Sequence, residues 1–200
     1  MPRPSPTGSG APQAEACAAA STTPRARSVV EAAAHTSAWD APLPVGEGRG
    51  IAFARYENSE AYVATIAEVR VESSSGQVIV KRIVVAHDCG LIINPDGVRQ
   101  QIEGNVIQSL SRTLKEAVRF DDRRVTSVDW ESYPILTFSE VPDIEVVLLD
   151  HRDAPAVGAG EPASVTTAAA VANAVHAAVG ARLRQAPLTP ERVRGALVAR

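Results

Sequence analysis

The sequence has few aromatic residues, few cysteines and little excess charge of either sign. Aromatic side chains make up 4% of the 200 residues, so small apolar residues must fill most of the interior. Cys17 and Cys89 have no metal-ligand spacing, and they indicate neither a disulfide framework nor an iron–sulfur cluster on this chain. The net charge of −3 provides no basic surface for nucleic acid. We therefore predict no nucleic-acid partner.

Long hydrophobic runs are also missing. No apolar run approaches the ~20 residues needed to cross a bilayer, so we predict no membrane span. The N-terminus lacks the apolar core of a signal peptide. These absences favour a cytoplasmic protein, and a periplasmic location stays open if a missing N-terminal part carries an export signal.

The first part of the chain differs in composition from the rest. Residues 1–26 are rich in Pro, Ser, Thr, Ala and Gly and have no periodicity. Such a segment buries too little apolar surface to offset its ordering entropy. We predict a disordered low-complexity segment at 1–26 and a folded domain at 27–200. In the latter, a short helix is expected at 28–38 and a loop at 39–50.

The patterns beyond residue 50 predict an α+β fold, with antiparallel strands and helices packed on them. Residues 61–71 and 77–87 are rich in β-branched residues and flank a turn at 73–76, which indicates a hairpin. A further strand is predicted at 143–150. Apolar residues spaced by four predict one helix, and they are Ile102, Val106, Leu110, Leu114 and Val118. Further turns are predicted at 94–97 and 120–125, and helices at 163–179 and 190–197.

One short stretch, Gly158-Ala159-Gly160-Glu161-Pro162, carries the main candidate for chemistry. Two glycines permit a tight turn and a close approach to a ligand, Pro162 suits the first helical turn, and Gly180 suits a helix end. Glu161 therefore stands at the start of a helix. Two interpretations follow: Glu161 complements the helix dipole, or it acts as a general base. Local chemistry alone favours the first.

The other candidates are weaker. Gln101 could hydrogen-bond a polar cofactor or could be a solvated residue near a helix start. Cys89 is expected to be a small buried apolar residue, and Asp88 is expected to cap the turn that follows it. His35, His87 and His151 form no ligand spacing, so we predict no metal ligands on this chain.

The order of several motifs is more specific than any one of them. GRGIAF (48–53), AYVATIAEVRV (61–71) and AHDCGLIINPDGVRQQIEGNVIQSL (86–110) precede GAGEP (158–162) and AVANAVHAAVGARLRQAPLTPERV (170–193). This order resembles the C-terminal end of the molybdopterin-binding large subunit of molybdenum hydroxylases. That family contains xanthine dehydrogenase and aldehyde oxidase, and the sequence is most similar to the branch that includes the isoquinoline 1-oxidoreductase beta subunit.

The resemblance implies a fragment of a molybdopterin-binding domain and an oxidoreductase activity. In this family an aldehyde or N-heterocycle is hydroxylated with water as the oxygen source, and a turn glutamate acts as general base. Glu161 matches that glutamate. Gln101 and the turn Gly158, Ala159 and Gly160 match residues beside the molybdenum–molybdopterin cofactor. Iron–sulfur clusters are implied only on a partner small subunit.

The chain also departs from the family. The large subunit is several times longer, and the earlier glycine-rich and arginine-bearing segments that hold the rest of the cofactor are absent. The implied partners are therefore the missing N-terminal part of the large subunit and the iron–sulfur subunit. Two hypotheses remain: an enzyme component that is inactive alone, and a truncated remnant or interaction module that binds no cofactor.

Overall fold

A computed structural model describes residues 23–58 and 60–198 of the chain. These residues form one four-stranded sheet with helices on both faces. In chain order the elements are α1 (Pro24–Thr36), β1 (Glu47–Arg55), β2 (Tyr62–Glu72), β3 (Gln77–Asp88), α2 (Pro95–Leu114), β4 (Asp143–Leu148), α3 (Ser164–Val179) and α4 (Pro190–Val198). Within them, no helix is both long enough and apolar enough to cross a lipid bilayer.

The sheet has the strand order β1-β2-β3-β4. β1, β2 and β3 pair antiparallel, which confirms the predicted hairpin and the α+β class. β4 pairs parallel to β3, so the sheet is mixed and this edge differs from the antiparallel pairing that was predicted. A parallel pair requires a long crossover, and α2 with the loop after it carries the chain back between Asp88 and Asp143.

The alternation of side chains along β3 divides the interior into two apolar clusters. Ile83 and Val85 pack with residues of α2 and α3, whereas Val84 and Ala86 pack with residues of α1. The small side chains of α3, such as Ala170, Ala174 and Val171, are fully buried in the first cluster. The low aromatic content is thus matched by close packing of helices on the sheet.

The strand β1 begins at Glu47, so the prediction of a loop over 39–50 was wrong at its end. Its glycines explain the error, because glycine normally weakens a strand. Here the backbone of α3 lies directly on them. A Cβ added to Gly48 or Gly50 would come within 3.0 Å of backbone atoms of Ala174. The two glycines therefore allow α3 to rest on β1, a contact that local sequence does not reveal.

The helix α1 begins earlier than predicted. Thr23 caps it by accepting a hydrogen bond from the Ala26 N–H at 3.2 Å, and Pro24 occupies its first turn. Residues 24–26 are helical, so the predicted boundary of the disordered segment at residue 26 was three residues too late. The remainder of that prediction concerns residues outside the described part of the chain.

The helix α2 confirms the four-residue apolar repeat through Ile102, Val106 and Leu110, which are fully buried. Asn94 caps the helix by accepting from the Gly97 N–H at 3.0 Å, so the predicted turn at 94–97 is the start of the helix. Val118 lies beyond the helix end and is 60% exposed, so its predicted place on the buried face was wrong. The turn at 120–125 is confirmed by an antiparallel bridge between Phe120 and Val125.

Candidate functional site

The turn with Glu161 lies directly before α3. The Glu161 carbonyl accepts hydrogen bonds from the Ser164 N–H at 2.9 Å and the Ser164 hydroxyl at 2.7 Å, which fixes the backbone of the turn. The helix starts at Ser164, so Pro162 belongs to this turn and not to the first helical turn as predicted. At the other end of α3, Gly180 has a φ of 69° and stops the helix, as predicted.

The Glu161 side chain is exposed and is joined to Tyr56. The Tyr56 hydroxyl donates a hydrogen bond to Glu161 Oε2. This hydrogen bond is the main cause that raises the pKa of Tyr56 to about 12, and burial and the nearby carboxylates act in the same direction. The phenol therefore remains protonated, and remains a donor, at any ordinary pH. Sequence reasoning did not single out Tyr56.

Two recesses meet at the glycine turn. The first has a volume of about 290 Å³ and includes Tyr56, Glu161 and Pro162 in its wall, together with Glu57 and Glu60. The second has a volume of about 480 Å³ and includes Gln101, Asn94 and Cys89. Gly160 borders both recesses. Glu161 and Gln101 thus lie on neighbouring recesses that share one wall.

The glycines of this turn are open. A Cβ added to Gly158 or Gly160 would meet no atom within 4 Å, so neither glycine is required by packing within the described residues. Ala159 borders the recess that contains Gln101. The structure therefore brings Gln101, Gly158, Ala159 and Gly160 to one region, as the family resemblance implies. Their roles toward a cofactor remain predictions.

The helix α2 is tied to the turn by Asn105. Its Nδ2 donates to the Gly160 carbonyl oxygen at 2.9 Å. Asn105 follows Gln101 by four residues, which places both side chains on one face of the helix. That spacing was available in the sequence, but the contact across 55 residues of chain was not. Asn105 holds the turn against the helix face that carries Gln101.

A buried carboxylate, Asp88, lies next in sequence to Cys89, which borders the second recess. Asp88 has no exposed side-chain surface, and Arg25 donates to it from Nε at 2.8 Å and from a terminal nitrogen at 2.6 Å. The Gly90 N–H donates to Asp88 at 2.9 Å, which confirms the predicted cap. Burial raises the pKa of Asp88, but the hydrogen bonds from Arg25 and Gly90 outweigh it and hold the pKa below its ordinary value.

The same carboxylate reaches the loop that leads to the glycine turn. His151 Nδ1 lies 2.9 Å from Asp88 Oδ2. A backbone hydrogen bond joins the same two segments, since the Val157 N–H donates to the Cys89 carbonyl at 2.9 Å. Cys89 is 2% exposed and borders the recess, so it is a small buried residue as predicted. Asp88 therefore joins α1, the end of β3 and the loop before Gly158.

Among the residues described, no group of three His, Cys, Asp or Glu side chains could hold a metal ion. His87 is fully buried, and neither ring nitrogen has a hydrogen-bond partner in the described part of the chain. Burial lowers the pKa of His87 to about 4, although Asp88 acts in the opposite direction, so the imidazole is neutral near pH 7.

The chain is thus an α+β unit in which the Glu161 carboxylate and the Gln101 amide lie on two recesses beside an open glycine turn. Residues 8–142 match the sequence family described as "Molybdopterin cofactor-binding domain". This match covers more than half of the chain. The chain therefore belongs to the molybdopterin cofactor-binding domains of the xanthine dehydrogenase and aldehyde oxidase family.

Curated relatives agree with this assignment. A nicotinate dehydrogenase subunit of Pseudomonas putida is 47% identical over 189 residues, which cover 87% of this chain and 16% of the relative. The isoquinoline 1-oxidoreductase beta subunit of Brevundimonas diminuta is 34% identical, with 84% of this chain and 22% of the relative covered. The chain thus spans about a fifth of these relatives or less.

The fold is also similar to solved structures. Quinoline 2-oxidoreductase from Pseudomonas putida 86 superimposes with a TM-score of 0.65 and 31% identity, covering 70% of this chain and 19% of that chain. Aldehyde oxidoreductase from Desulfovibrio gigas gives a TM-score of 0.62 and 27% identity, covering 69% and 15%. These likenesses confirm that the described residues correspond to part of a molybdenum hydroxylase fold.

Proposed function

We propose that this chain is the base-bearing part of a molybdenum hydroxylase large subunit, and that its folded part, from the cap Thr23 onward, belongs to the C-terminal molybdopterin-binding domain. One observation carries the proposal. Glu161 stands exposed on an open glycine turn, beside the recess that contains Gln101, in a chain that belongs to this family. The chain needs the remaining parts of the large subunit, since it spans only 16% to 22% of two curated relatives.

The residues around the second recess fit the edge of a molybdopterin cofactor. Gln101 is exposed and its amide both donates and accepts hydrogen bonds. Gly158 and Gly160 leave space where side chains would stand, so their backbone groups are accessible to a ligand. When bound, the cofactor supplies the redox centre that takes two electrons from the substrate. Iron–sulfur clusters on a partner subunit would provide the acceptor for these electrons.

Glu161 supplies the proton acceptor for this chemistry. Water is the source of the oxygen that the product gains, and Glu161 takes up the proton that the water-derived nucleophile loses. A positioned general base contributes about 10²–10⁴ in rate. The Tyr56 hydroxyl occupies Glu161 Oε2, which leaves Oε1 available to receive that proton.

The names of the relatives indicate the class of substrate. Nicotinate, isoquinoline and quinoline are aromatic N-heterocycles, and they occur in the names of three of the similar proteins. We propose an N-heterocycle as the substrate, with an aldehyde as the second class, since aldehyde oxidoreductases are also similar.

Assembly of the complete enzyme tests the proposal. The chain would be co-expressed with the missing part of a large subunit and with an iron–sulfur subunit, and the purified complex would be analysed for molybdenum and for hydroxylation of N-heterocycles. We expect close to one molybdenum per complex and turnover. An assembled complex without molybdenum or turnover would favour the alternative of a non-catalytic remnant.

A pair of neighbouring glutamines sharpens this experiment. Gln101 and Gln100 are both exposed on α2, but only Gln101 borders the second recess. We expect Gln101→Ala to lower the molybdenum content of the complex and Gln100→Ala to leave it unchanged. Equal molybdenum in both variants would remove Gln101 from the proposed cofactor contacts.

A further inference from the structure

We propose that Tyr56 is the positioning residue for Glu161: its hydroxyl holds the Glu161 carboxylate against the first recess and fixes the orientation in which it accepts a proton. The catalytic consequence rests on the proposed function, whereas the contact itself does not. The observation that carries the inference is the hydrogen bond from the Tyr56 hydroxyl to Glu161 Oε2, across 105 residues of chain.

The position of Tyr56 is fixed by its backbone. Tyr56 follows the last residue of β1, and its N–H donates to the Ala61 carbonyl at 2.8 Å. Its own carbonyl accepts from the Glu60 N–H at 2.9 Å. The turn includes Glu57 and Asn58 with φ values of 49° and 59°. A glutamate with such a left-handed φ is strained, whereas asparagine tolerates it.

The position of Glu161 is fixed by the same scaffold. The backbone of α3 rests on Gly48 and Gly50 of β1, and Asn173 of α3 donates to the Ile51 carbonyl at 2.9 Å. Tyr56 therefore extends from the end of β1, and Glu161 from the start of α3. The two elements that carry the pair, β1 and α3, are thus in direct backbone contact.

A hydrogen bond is needed here because packing does not hold the Glu161 side chain. That side chain is exposed, and an exposed glutamate loses up to about 2 kcal/mol of rotamer entropy when it is held in one conformation. A phenol offers one donor in a fixed direction, on a ring with only two rotatable bonds. It binds one carboxylate oxygen and leaves the other for chemistry. A lysine or arginine would instead neutralise the base.

The chain contains a matched control for this pair. The Tyr133 hydroxyl donates to Glu116 Oε2 at 2.8 Å. Neither Tyr133 nor Glu116 borders the two recesses at the glycine turn. Tyr133→Phe thus removes the same kind of hydrogen bond without touching the proposed site.

The contact can be tested on the chain alone, without any cofactor, through tyrosinate absorbance at pH 10. With a pKa near 12, Tyr56 should be only about 1% ionised at this pH. We therefore expect Tyr56→Phe to leave the absorbance unchanged. In a Glu161→Ala background, where Tyr56 returns to an ordinary value, Tyr56→Phe should remove about half a tyrosinate equivalent. The proposal would be overturned if Tyr56→Phe removed about half a tyrosinate equivalent of absorbance from the parent chain. It would also be overturned if Tyr56→Phe removed none in the Glu161→Ala background.

The assembled enzyme tests the consequence. We expect Tyr56→Phe to lower kcat by about tenfold or more while KM and molybdenum content stay at parent values, because misplacing a catalytic group by about 1 Å can cost about 10² in rate. Tyr133→Phe should leave all three unchanged. A kcat within twofold of the parent, or a raised KM at constant kcat, would overturn the positioning role. If the parent complex itself is inactive, the proposed function fails, while the absorbance result still decides the contact.

Discussion

Replacing Gly50 by alanine would place a methyl group where the backbone of α3 lies. The added Cβ would come within 3.0 Å of the Ala174 nitrogen and the Ala170 carbonyl. Unlike the end of a flexible side chain, these backbone atoms cannot rotate away. The strand or the helix must therefore shift.

The size of the effect follows from the same geometry. Overpacking a well-filled interior costs about 1–3 kcal/mol, and the obstruction here is rigid, so we expect a value near 3 kcal/mol. Alanine also lowers the conformational entropy of the unfolded chain, and this effect stabilises the folded state by about 0.4–1 kcal/mol. We therefore expect a net loss of about 2–3 kcal/mol in the free energy of unfolding.

Gly104 provides the control, because the same chemical change should have the opposite sign there. It lies inside α2, and an added Cβ would meet no atom within 4 Å. Glycine in a helix interior costs about 0.5–1 kcal/mol relative to alanine, so Gly104→Ala should stabilise the chain by this amount.

Urea unfolding followed by tryptophan fluorescence would measure both variants. Trp39 is 6% exposed and Trp130 is 75% exposed, so the fluorescence change reports mainly on Trp39. With m-values of about 1–3 kcal/mol per molar urea, the two midpoints should differ by about 1 M or more. A Gly50→Ala chain as stable as the parent would refute the direct packing of α3 on β1.

Two further predictions concern buried polar groups, His87 and the ion pair between Asp88 and Arg25. The pKa of His87 is about 4 in the folded chain and 6.5 when unfolded, so the unfolded chain binds the extra proton first as pH falls. The free energy of unfolding should therefore fall by about 3 kcal/mol between pH 6.5 and 4. In the His87→Leu chain the urea midpoint should change less with pH than in the parent chain. An equally strong dependence on pH in both chains would contradict this prediction. Arg25→Ala leaves the buried Asp88 carboxylate without its main partner and should cost about 2–3 kcal/mol, against little for the exposed Arg27→Ala. Equal midpoints for these two variants would show that the Arg25 ion pair does not stabilise the fold.

Local chemistry was sufficient to predict several elements from the sequence. Gly180 ends α3 because only a residue tolerant of positive φ suits that place. The four-residue repeat from Ile102 predicted α2, since period and burial coincide on a helix. Asp88 capped its turn because a short carboxylate reaches the N–H two residues on. Each of these depends on neighbours within one or two turns of chain.

The contacts that the sequence did not reveal join distant segments. Gly48 and Gly50 were predicted to lie in a loop. The reason that they occur in a strand is the close approach of α3, which lies more than a hundred residues later in the chain. Tyr56 was not singled out because nothing near it signals that its hydroxyl meets Glu161. The parallel pairing of β4 depends on the path of the long connection from β3, which no strand pattern encodes.

The central claim is that Glu161 is the general base, and turnover per bound molybdenum in the assembled enzyme tests it most directly. Glu161→Gln keeps the size of the side chain and an acceptor for the Tyr56 hydroxyl but removes the base. Glu116→Gln, which alters the acceptor of Tyr133 in the same way, is the control. We predict that Glu161→Gln retains molybdenum while turnover per metal falls by at least about 10², and that Glu116→Gln keeps both. Turnover near the parent rate in the Glu161→Gln enzyme would contradict the account and leave Glu161 as an acid that only complements the start of a helix.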